Sequence, residues 1–266
     1  MRHAGFAIGL GMMVALGAMS GAREARADLL DDIQARGAVR VCIWPDYYSI
    51  TYRDPRTGVL AGMDIDMARA LGQDLGVRVR FVDGSFSTLA ESLAQRRCDI
   101  AMHAVGVLPS RAAFMDFSEP TLVSGIYAVA SRHHPGVRAW EDIDHVGIVV
   151  VVQRGTYMEP VMRERLKIAT LDVVDGFRER EQEVQSGRAD VFMTDYPYGR
   201  RMADLTDWAV LIAPPQPVAP TPYAYAVPLG EARWLDRVNA FVRQVKADGR
   251  LREAARAHGL ESILAP

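Results

Sequence analysis

The 266 residues contain only two cysteines, Cys42 and Cys98, and no excess of either charge, with 31 Lys plus Arg against 33 Asp plus Glu. Two cysteines without histidines at ligand spacing make no zinc site. The charge balance gives nucleic acid or an anionic membrane surface no electrostatic footing. The chain also lacks a Gly-x-Ser-x-Gly elbow, a glycine-rich phosphate loop and a paired-cysteine motif. Internal repeats and low-complexity tracts are missing as well. Nucleophilic, nucleotide-dependent and thiol-redox chemistry therefore have no motif to rest on, and neither a cofactor nor a metal is expected.

What is present begins at the N-terminus. Arg2 and His3 precede an apolar run over residues 4–19, and Ala25-Arg26-Ala27 follows. A basic start, an apolar stretch and a small-x-small cleavage pattern predict a signal peptide over residues 1–27 and export to the periplasm. A cut after Ser20-Gly21-Ala22 fits the same pattern. The run is too short and too rich in Gly and Ala for a membrane span. Residues 1–27 hold three Arg and one Glu, so the remaining chain carries a formal charge of −4. Cys42 lies inside a predicted strand and Cys98 at the start of another. Neighbouring strands would hold them out of register, which favours two small buried side chains. An oxidising compartment permits a bridge instead, provided the Cα atoms come within about 7 Å.

Hydrophobic periodicity gives the organisation. Val39-Arg-Val-Cys-Ile43 reads as a strand, and the turn-rich Asp54-Pro-Arg-Thr-Gly58 leads to Asp64, a suitable N-cap for a helix with Met67, Ala68, Leu71 and Leu75 on one face. Val77-Arg-Val-Arg-Phe81 alternates as a strand, a helix follows over about residues 87–95, and Asp99-Ile-Ala-Met102 forms a third strand. The pattern restarts after about residue 125. Val146-Gly-Ile-Val-Val-Val-Val152 is a buried parallel strand by its β-branched run, a helix opens near Thr156, and Val191-Phe-Met-Thr194 ends at Asp195. Tyr223-Ala-Tyr-Ala-Val227 is a further strand. A last helix carries Trp234, Val238, Phe241, Val242 and Val245 on one stripe. Strands alternating with helices predict βαβ units and mainly parallel sheets, with ligands beyond the carboxyl ends of the strands.

Several short motifs, in order, resemble the periplasmic solute-binding proteins of polar-amino-acid ABC importers, solute-binding family 3. They are Pro45-Asp-Tyr47, Gly62-Met-Asp-Ile-Asp-Met-Ala68, Cys98-Asp-Ile-Ala-Met102, Arg111 followed by Asp116-Phe-Ser-Glu-Pro120, Gln153-Arg-Gly-Thr156, and Gly187-Arg-Ala-Asp-Val191 leading to Thr194-Asp195. The resemblance implies an α/β fold of two lobes, the type II periplasmic binding protein architecture. Residues 28–124 with 223–266 would form a discontinuous first lobe and 125–222 the second, with crossovers near residues 124–127 and 219–223. It implies a binding protein rather than an enzyme, a monomer that closes over a small amino-acid-like ligand and passes it to an inner-membrane ABC permease.

A zwitterionic ligand needs a cation for its carboxylate and an anion for its ammonium. The resemblance places Arg111 in the first role, since a planar guanidinium holds a carboxylate bidentately. Asp195 is placed in the second, unless it serves to cap a helix. The Thr156 amide would add a donor at a helix start, with Gln153 beside it. Trp44, Tyr47 and Phe86 would form an aromatic wall for a flat, apolar or cationic side chain. The chain departs from the family where hydroxyl residues usually follow the third strand: His103, Ala104 and Gly106 stand there, leaving backbone amides as donors and His103 as a polar contact.

Two other readings compete. Cyclohexadienyl dehydratases resemble the same fold family, and their elimination needs a general acid shortly after the Gly-Thr turn. Met158 occupies that position and Glu159 falls one residue later, about 100° further around a helix. An accessory or sensory binding protein, serving a receptor or a periplasmic dehydrogenase, is the third.

Overall fold

The computed structural model describes Met1 and residues 28–266. The expected signal peptide lies outside the described residues, apart from its first. Asp28 caps α1 (Leu29–Arg36) by accepting the Leu30 amide, and Gly37 closes it in the left-handed conformation at φ 61°. There follow β1 (Ala38–Ile43), a small ribbon of β2 (Asp46–Tyr47), β3 (Thr51–Arg53) and β4 (Leu60–Ala61), then α2 (Met63–Leu75), β5 (Arg78–Asp83) and α3 (Leu89–Ala94). The first half ends with β6 (Ile100–Gly106), α4 (Pro109–Ala112), β7 (Met115–Phe117) and β8 (Leu122–Ser124). The second half holds β9 (Tyr127–Ser131), β10 (Val149–Gln153), α5 (Met158–Arg165), β11 (Thr170–Val174), α6 (Phe177–Gln185), β12 (Val191–Thr194), α7 (Tyr196–Leu205) and β13 (Ala209–Ile212). The chain finishes with β14 (Thr221–Pro228), α8 (Ala232–Ala247) and α9 (Arg250–Ala257).

Two main sheets result, and their ground plans match. The first runs β5-β1-β6-β14-β7, with β8 also on β14; the second runs β11-β10-β12-β9-β13. In each, three parallel strands meet an antiparallel strand beside the third, β14 beside β6 and β9 beside β12. The chain passes from the first sheet to the second between Ser124 and Tyr127 and returns between Ile212 and Thr221. The carboxyl ends of β6 and β12 therefore stand at the junction of the two lobes, where an open α/β sheet binds its ligands.

The core follows from the periodicities. Val150, Val151 and Val152 are fully buried in the middle of the second sheet, as their β-branched run predicts for a strand covered on both faces. Trp234, Val238, Phe241, Val242 and Val245 of α8 are all fully buried, and the Trp234 indole donates to the Asp99 carbonyl at 2.8 Å.

Two expectations are corrected. Asp64 does not cap α2: Gly62 holds that place at φ 131°, where a Cβ would lie 2.3 Å from the Ile50 carbonyl oxygen. Asp64 sits in the first turn, fully buried, and accepts the Ala104 amide at 2.8 Å. The cysteines are joined. Cys42 and Cys98 form a disulfide with Cα atoms 5.5 Å apart. Straight extension of β6 would have kept them out of register, but Arg96 turns the chain at φ 51° before the strand begins, and Cys98 closes on Cys42.

Candidate functional site

A cavity of about 40 Å³ lies between the lobes, room for about three water molecules. Trp44, Tyr47, Phe86, Ala104, Gly106 and Arg111 line it from the first lobe, and Thr156, Tyr157, Met158, Phe177, Arg180, Thr194 and Asp195 from the second; Tyr223 of β14 completes it. Eight of the ten residues expected at the site thus come together. His103 and Gln153 do not reach the cavity.

The first-lobe residues gather because β1 and β6 are neighbours. Trp44 follows β1 directly, while Ala104 and Gly106 close β6, which runs to Gly106 and so extends past the Met102 end expected from sequence. The Trp44 ring stacks on Phe177 of α6 at 3.9 Å between centroids and also meets Tyr47 at 5.1 Å and Phe86 at 5.6 Å. It is 6% exposed, so this wall residue is at the same time part of the core. Arg111 rises from α4, with its guanidinium carbon 5.4 Å from the Phe86 centroid and Nη1 donating to the Gly106 carbonyl at 3.1 Å. It makes no ion pair among the described residues, and Asp116, the carboxylate nearest in sequence, accepts the Gly230 amide instead. Burial pulls its pKa downward, opposed by the phenols of Tyr223 and Tyr47. A guanidinium so placed remains charged.

Asp195 ends β12 and faces two tasks at once. One carboxylate oxygen caps α7 by accepting the Tyr198 amide at 3.1 Å; the other accepts the Tyr223 hydroxyl at 3.0 Å and the Tyr47 hydroxyl. Burial raises its pKa, and the hydrogen bonds from Tyr47, Tyr198 and Tyr223 work against that rise. The same carboxylate raises the Tyr47 and Tyr223 phenols beyond the effect of their own burial, so both stay protonated and donate. Tyr47 belongs to the first lobe and Asp195 to the second, so this bond, with the Trp44–Phe177 stack, holds the lobes together. The Tyr157 hydroxyl donates to the carbonyl of Gly125, in the crossover segment, at 3.1 Å.

Three side-chain and backbone roles differ from expectation, those of His103, Gln153 and Thr156. His103 is 1% exposed with Nδ1 on the Cys42 carbonyl at 3.2 Å, and burial lowers its pKa to about 4, so it is a neutral core group rather than a ligand contact. Gln153 turns to the Asp175 carbonyl at 3.3 Å. The Thr156 amide donates to the Gln153 carbonyl at 3.3 Å, two residues before α5 begins, so it is not a free donor at the helix start. Glu159 does not line this cavity: it accepts the Gly155 amide and the Arg163 guanidinium, both at 3.1 Å, beside a second groove that Arg111, Thr156 and Tyr157 also line.

Sequence reasoning missed Tyr157, Met158, Phe177, Arg180, Thr194 and Tyr223 as lining residues. Tyr157, Met158 and Thr194 adjoin residues already singled out. Phe177 and Arg180 were within reach of the rule about strand ends, because α6 follows β11 directly and positions three apart share a helix face. The described residues bring no three His, Cys, Asp or Glu together around a metal position, and no helix among them is long and apolar enough to cross a membrane.

The sequence profile of the bacterial extracellular solute-binding proteins, family 3, matches residues 39–261. Cyclohexadienyl dehydratase of Pseudomonas aeruginosa is 31% identical over 221 residues, 82% of each chain. The L-cystine-binding protein TcyJ of Escherichia coli K12 is 28% identical over 185 residues, 69% of each. The crystal structure of an ancestral amino acid-binding protein, a precursor of cyclohexadienyl dehydratase, superposes with a TM-score of 0.77 at 31% identity, covering 86% of this chain and 98% of that one. A binding component of an ABC transporter from Wolinella succinogenes, complexed with lysine, superposes with a TM-score of 0.76 at 26% identity, covering 84% and 96%.

Proposed function

Because the chain belongs to the bacterial extracellular solute-binding proteins, family 3, we propose that it is an exported, periplasmic binding protein that captures a small carboxylate-bearing, amino-acid-like solute between its lobes and presents it to an ABC importer. The observation that carries this reading is Arg111, a cation without an anionic partner among the described residues, at a cavity walled by both lobes. A ligand carboxylate satisfies the guanidinium fork, and Asp195 offers the counter-charge for an ammonium group. In the closed form the Tyr47 hydroxyl and the Trp44–Phe177 stack fill much of the cleft. Ligand uptake therefore opens the lobes and replaces these contacts, and closure over the ligand is the hinge motion that signals the loaded state.

Thermal melting against the twenty amino acids, polyamines and aromatic acids tests the reading. A true ligand at about 100 times its Kd adds roughly 2.7 kcal/mol to stability. That gain disappears in Arg111→Ala if the carboxylate rests there; a full gain in the variant removes Arg111 from the site.

A second reading is elimination on a bound cyclohexadienyl acid, the activity in the name of the Pseudomonas relative. The specific observation in its favour is Asp195, a cavity-lining carboxyl whose pKa burial raises, which suits a proton donor to a departing hydroxyl. Glu159, tied to Gly155 and Arg163 and not lining the cavity, does not suit that task. Turnover of prephenate or arogenate that is lost in Asp195→Asn and kept in Glu159→Gln supports this reading; no turnover by the unaltered protein removes it.

A further inference from the structure

The cavity wall contains a second guanidinium that the binding reading does not use. Arg180 is 1% exposed and stands one turn after Phe177 on α6. Its Nη1 donates to the Met193 carbonyl at 2.7 Å, while Nε and Nη2 are buried without any hydrogen-bond partner. The guanidinium carbon lies 4.5 Å from the Phe192 centroid, 4.9 Å from Tyr198 and 5.0 Å from Phe177. Aromatic faces and the nearby Tyr198 hydroxyl offset part of the cost of burying the charge, but no acceptor among the described residues meets Nε or Nη2 with hydrogen-bond geometry.

The carboxylates around it are occupied elsewhere. Glu181 takes the Tyr198 hydroxyl and the Arg201 guanidinium, the latter at 3.0 Å. Asp195 takes two phenols and a backbone amide. Neither comes within ion-pair distance of Arg180, although both act on it through space. The unpartnered edge is chemically specific: Nε–H and Nη2–H point in parallel, the fork that meets two oxygens of one carboxylate.

The cavity thus carries two guanidinium groups, Arg111 and Arg180, against one carboxyl, Asp195. A zwitterion with a single carboxylate leaves one fork unanswered. We propose that the ligand carries two carboxylate groups, one held by Arg111 and the other by the free edge of Arg180. The inference rests on the reading of the interlobe cleft as the ligand site and narrows its substrate class. An acidic amino acid places its ammonium at Asp195.

Isothermal titration calorimetry on the mature protein at pH 7 tests this with matched probes: glutamate and glutarate against glutamine, aspartate and succinate against asparagine, with lysine and cystine as further monitors. The expected result is that a dicarboxylate binds at least about 30-fold tighter than its amide partner, the scale for losing one side of a buried charge pair. Arg180→Gln should collapse this preference to within a few-fold while the amide's own affinity changes little, and Arg180→Lys should restore part of it. An amide that binds as tightly as its acid overturns the inference on the unaltered protein alone, so a variant that fails to fold does not shield it. A preference that survives Arg180→Gln overturns it as well. Binding confined to lysine or cystine and lost in Arg111→Ala refutes the two-carboxylate ligand and leaves the binding reading standing; no binding by any probe defeats both.

Discussion

The two lobes repeat one ground plan, three parallel strands and an antiparallel neighbour, yet they hold their halves of the cleft differently. In the first lobe the frame is pinned covalently: the Cys42–Cys98 disulfide ties β1 to the turn before β6, the two strands whose carboxyl ends place Trp44, Ala104 and Gly106. Asp99, fully buried just before β6, adds ion pairs to Arg36 at 2.6 Å and Arg40 at 2.7 Å. In the second lobe the corresponding strands β10 and β12 have no disulfide; Asp190, just before β12, accepts the Val149 amide at 2.7 Å and meets His134 at 2.7 Å, much as Asp99 accepts the Arg40 amide in the first. Its cleft residues rest on the guanidinium of Arg180 buried among three rings. The difference assigns the lobes unequal parts. On the proposed reading the first, pinned by the disulfide, is the firmer platform for the carboxylate, and the second is expected to be the softer partner as the cleft opens.

The sharpest way to break this comparison is to cut the pin. A disulfide closing a 56-residue separation stabilises by about 4 kcal/mol on chain-entropy grounds. Replacing both cysteines with serine should lower the urea midpoint accordingly. Hydrogen exchange should rise in β1, β5 and β6 and remain unchanged in β9–β13. Equal loosening of both lobes would mean that the first is no firmer than the second.

That asymmetry also marks how far the sequence could be read. Arg111, Asp195, Trp44 and Tyr47 were legible because they stand at strand ends or in short motifs whose spacing is tied to the fold. The same rules said nothing about side-chain direction: His103, next to the lining Ala104, turns into the core, and Gln153, three residues before Thr156, turns onto a backbone carbonyl. Arg180 was hidden by composition. The helix Phe177-Arg-Glu-Arg-Glu-Gln-Glu-Val-Gln185 reads as a solvated face, and only packing shows that Arg180 is buried while Arg178 and Glu179 are exposed. The disulfide escaped for a related reason, since a register argument assumes a straight strand where the chain in fact turns at Arg96.

A somewhat smaller effect should come from Asp64, the buried carboxyl beneath β6. Burial raises its pKa from the ordinary 3.8 to about 7, against the opposing hydrogen bond from Ala104. Below pH 3.8 the group is protonated in both folded and unfolded chains and has no effect on stability. As pH rises from there to about 7 the unfolded chain gives up its proton first, so stability falls across that window and levels off above it. The full span corresponds to at most about 4 kcal/mol. Asp64→Asn keeps an oxygen for the Ala104 amide and turns its amide toward the Tyr225 phenol beside it. Unfolding free energies measured from pH 4 to 8 should lose this slope in the variant. A slope that persists would place the buried acid responsible elsewhere, with Asp195 of the second lobe the next to test by the same substitution.

The smallest effect bears most directly on closure. Tyr47 and Tyr223 both reach from the first lobe's framework to one oxygen of Asp195, which joins the lobes together with the Trp44–Phe177 stack and the Arg200 bond to the Gly259 carbonyl at 3.0 Å. Removing one hydroxyl leaves Asp195 with its other phenol and its capping amide, and costs the closed form about 1 kcal/mol. That is roughly a five-fold shift in the open–closed ratio, from RT at room temperature. Tyr47→Phe should therefore enlarge the average dimensions seen by X-ray scattering without ligand and leave the melting of each lobe nearly unchanged. Tyr223→Phe should do the same, and the pair together should do more than either. Because ligand binding also begins from the open form, both variants should bind a small carboxylate with a faster on-rate. Scattering curves that coincide with those of the unaltered protein would place the latch in the Trp44–Phe177 stack instead, and Phe177→Ala would then produce the opening that the tyrosines did not.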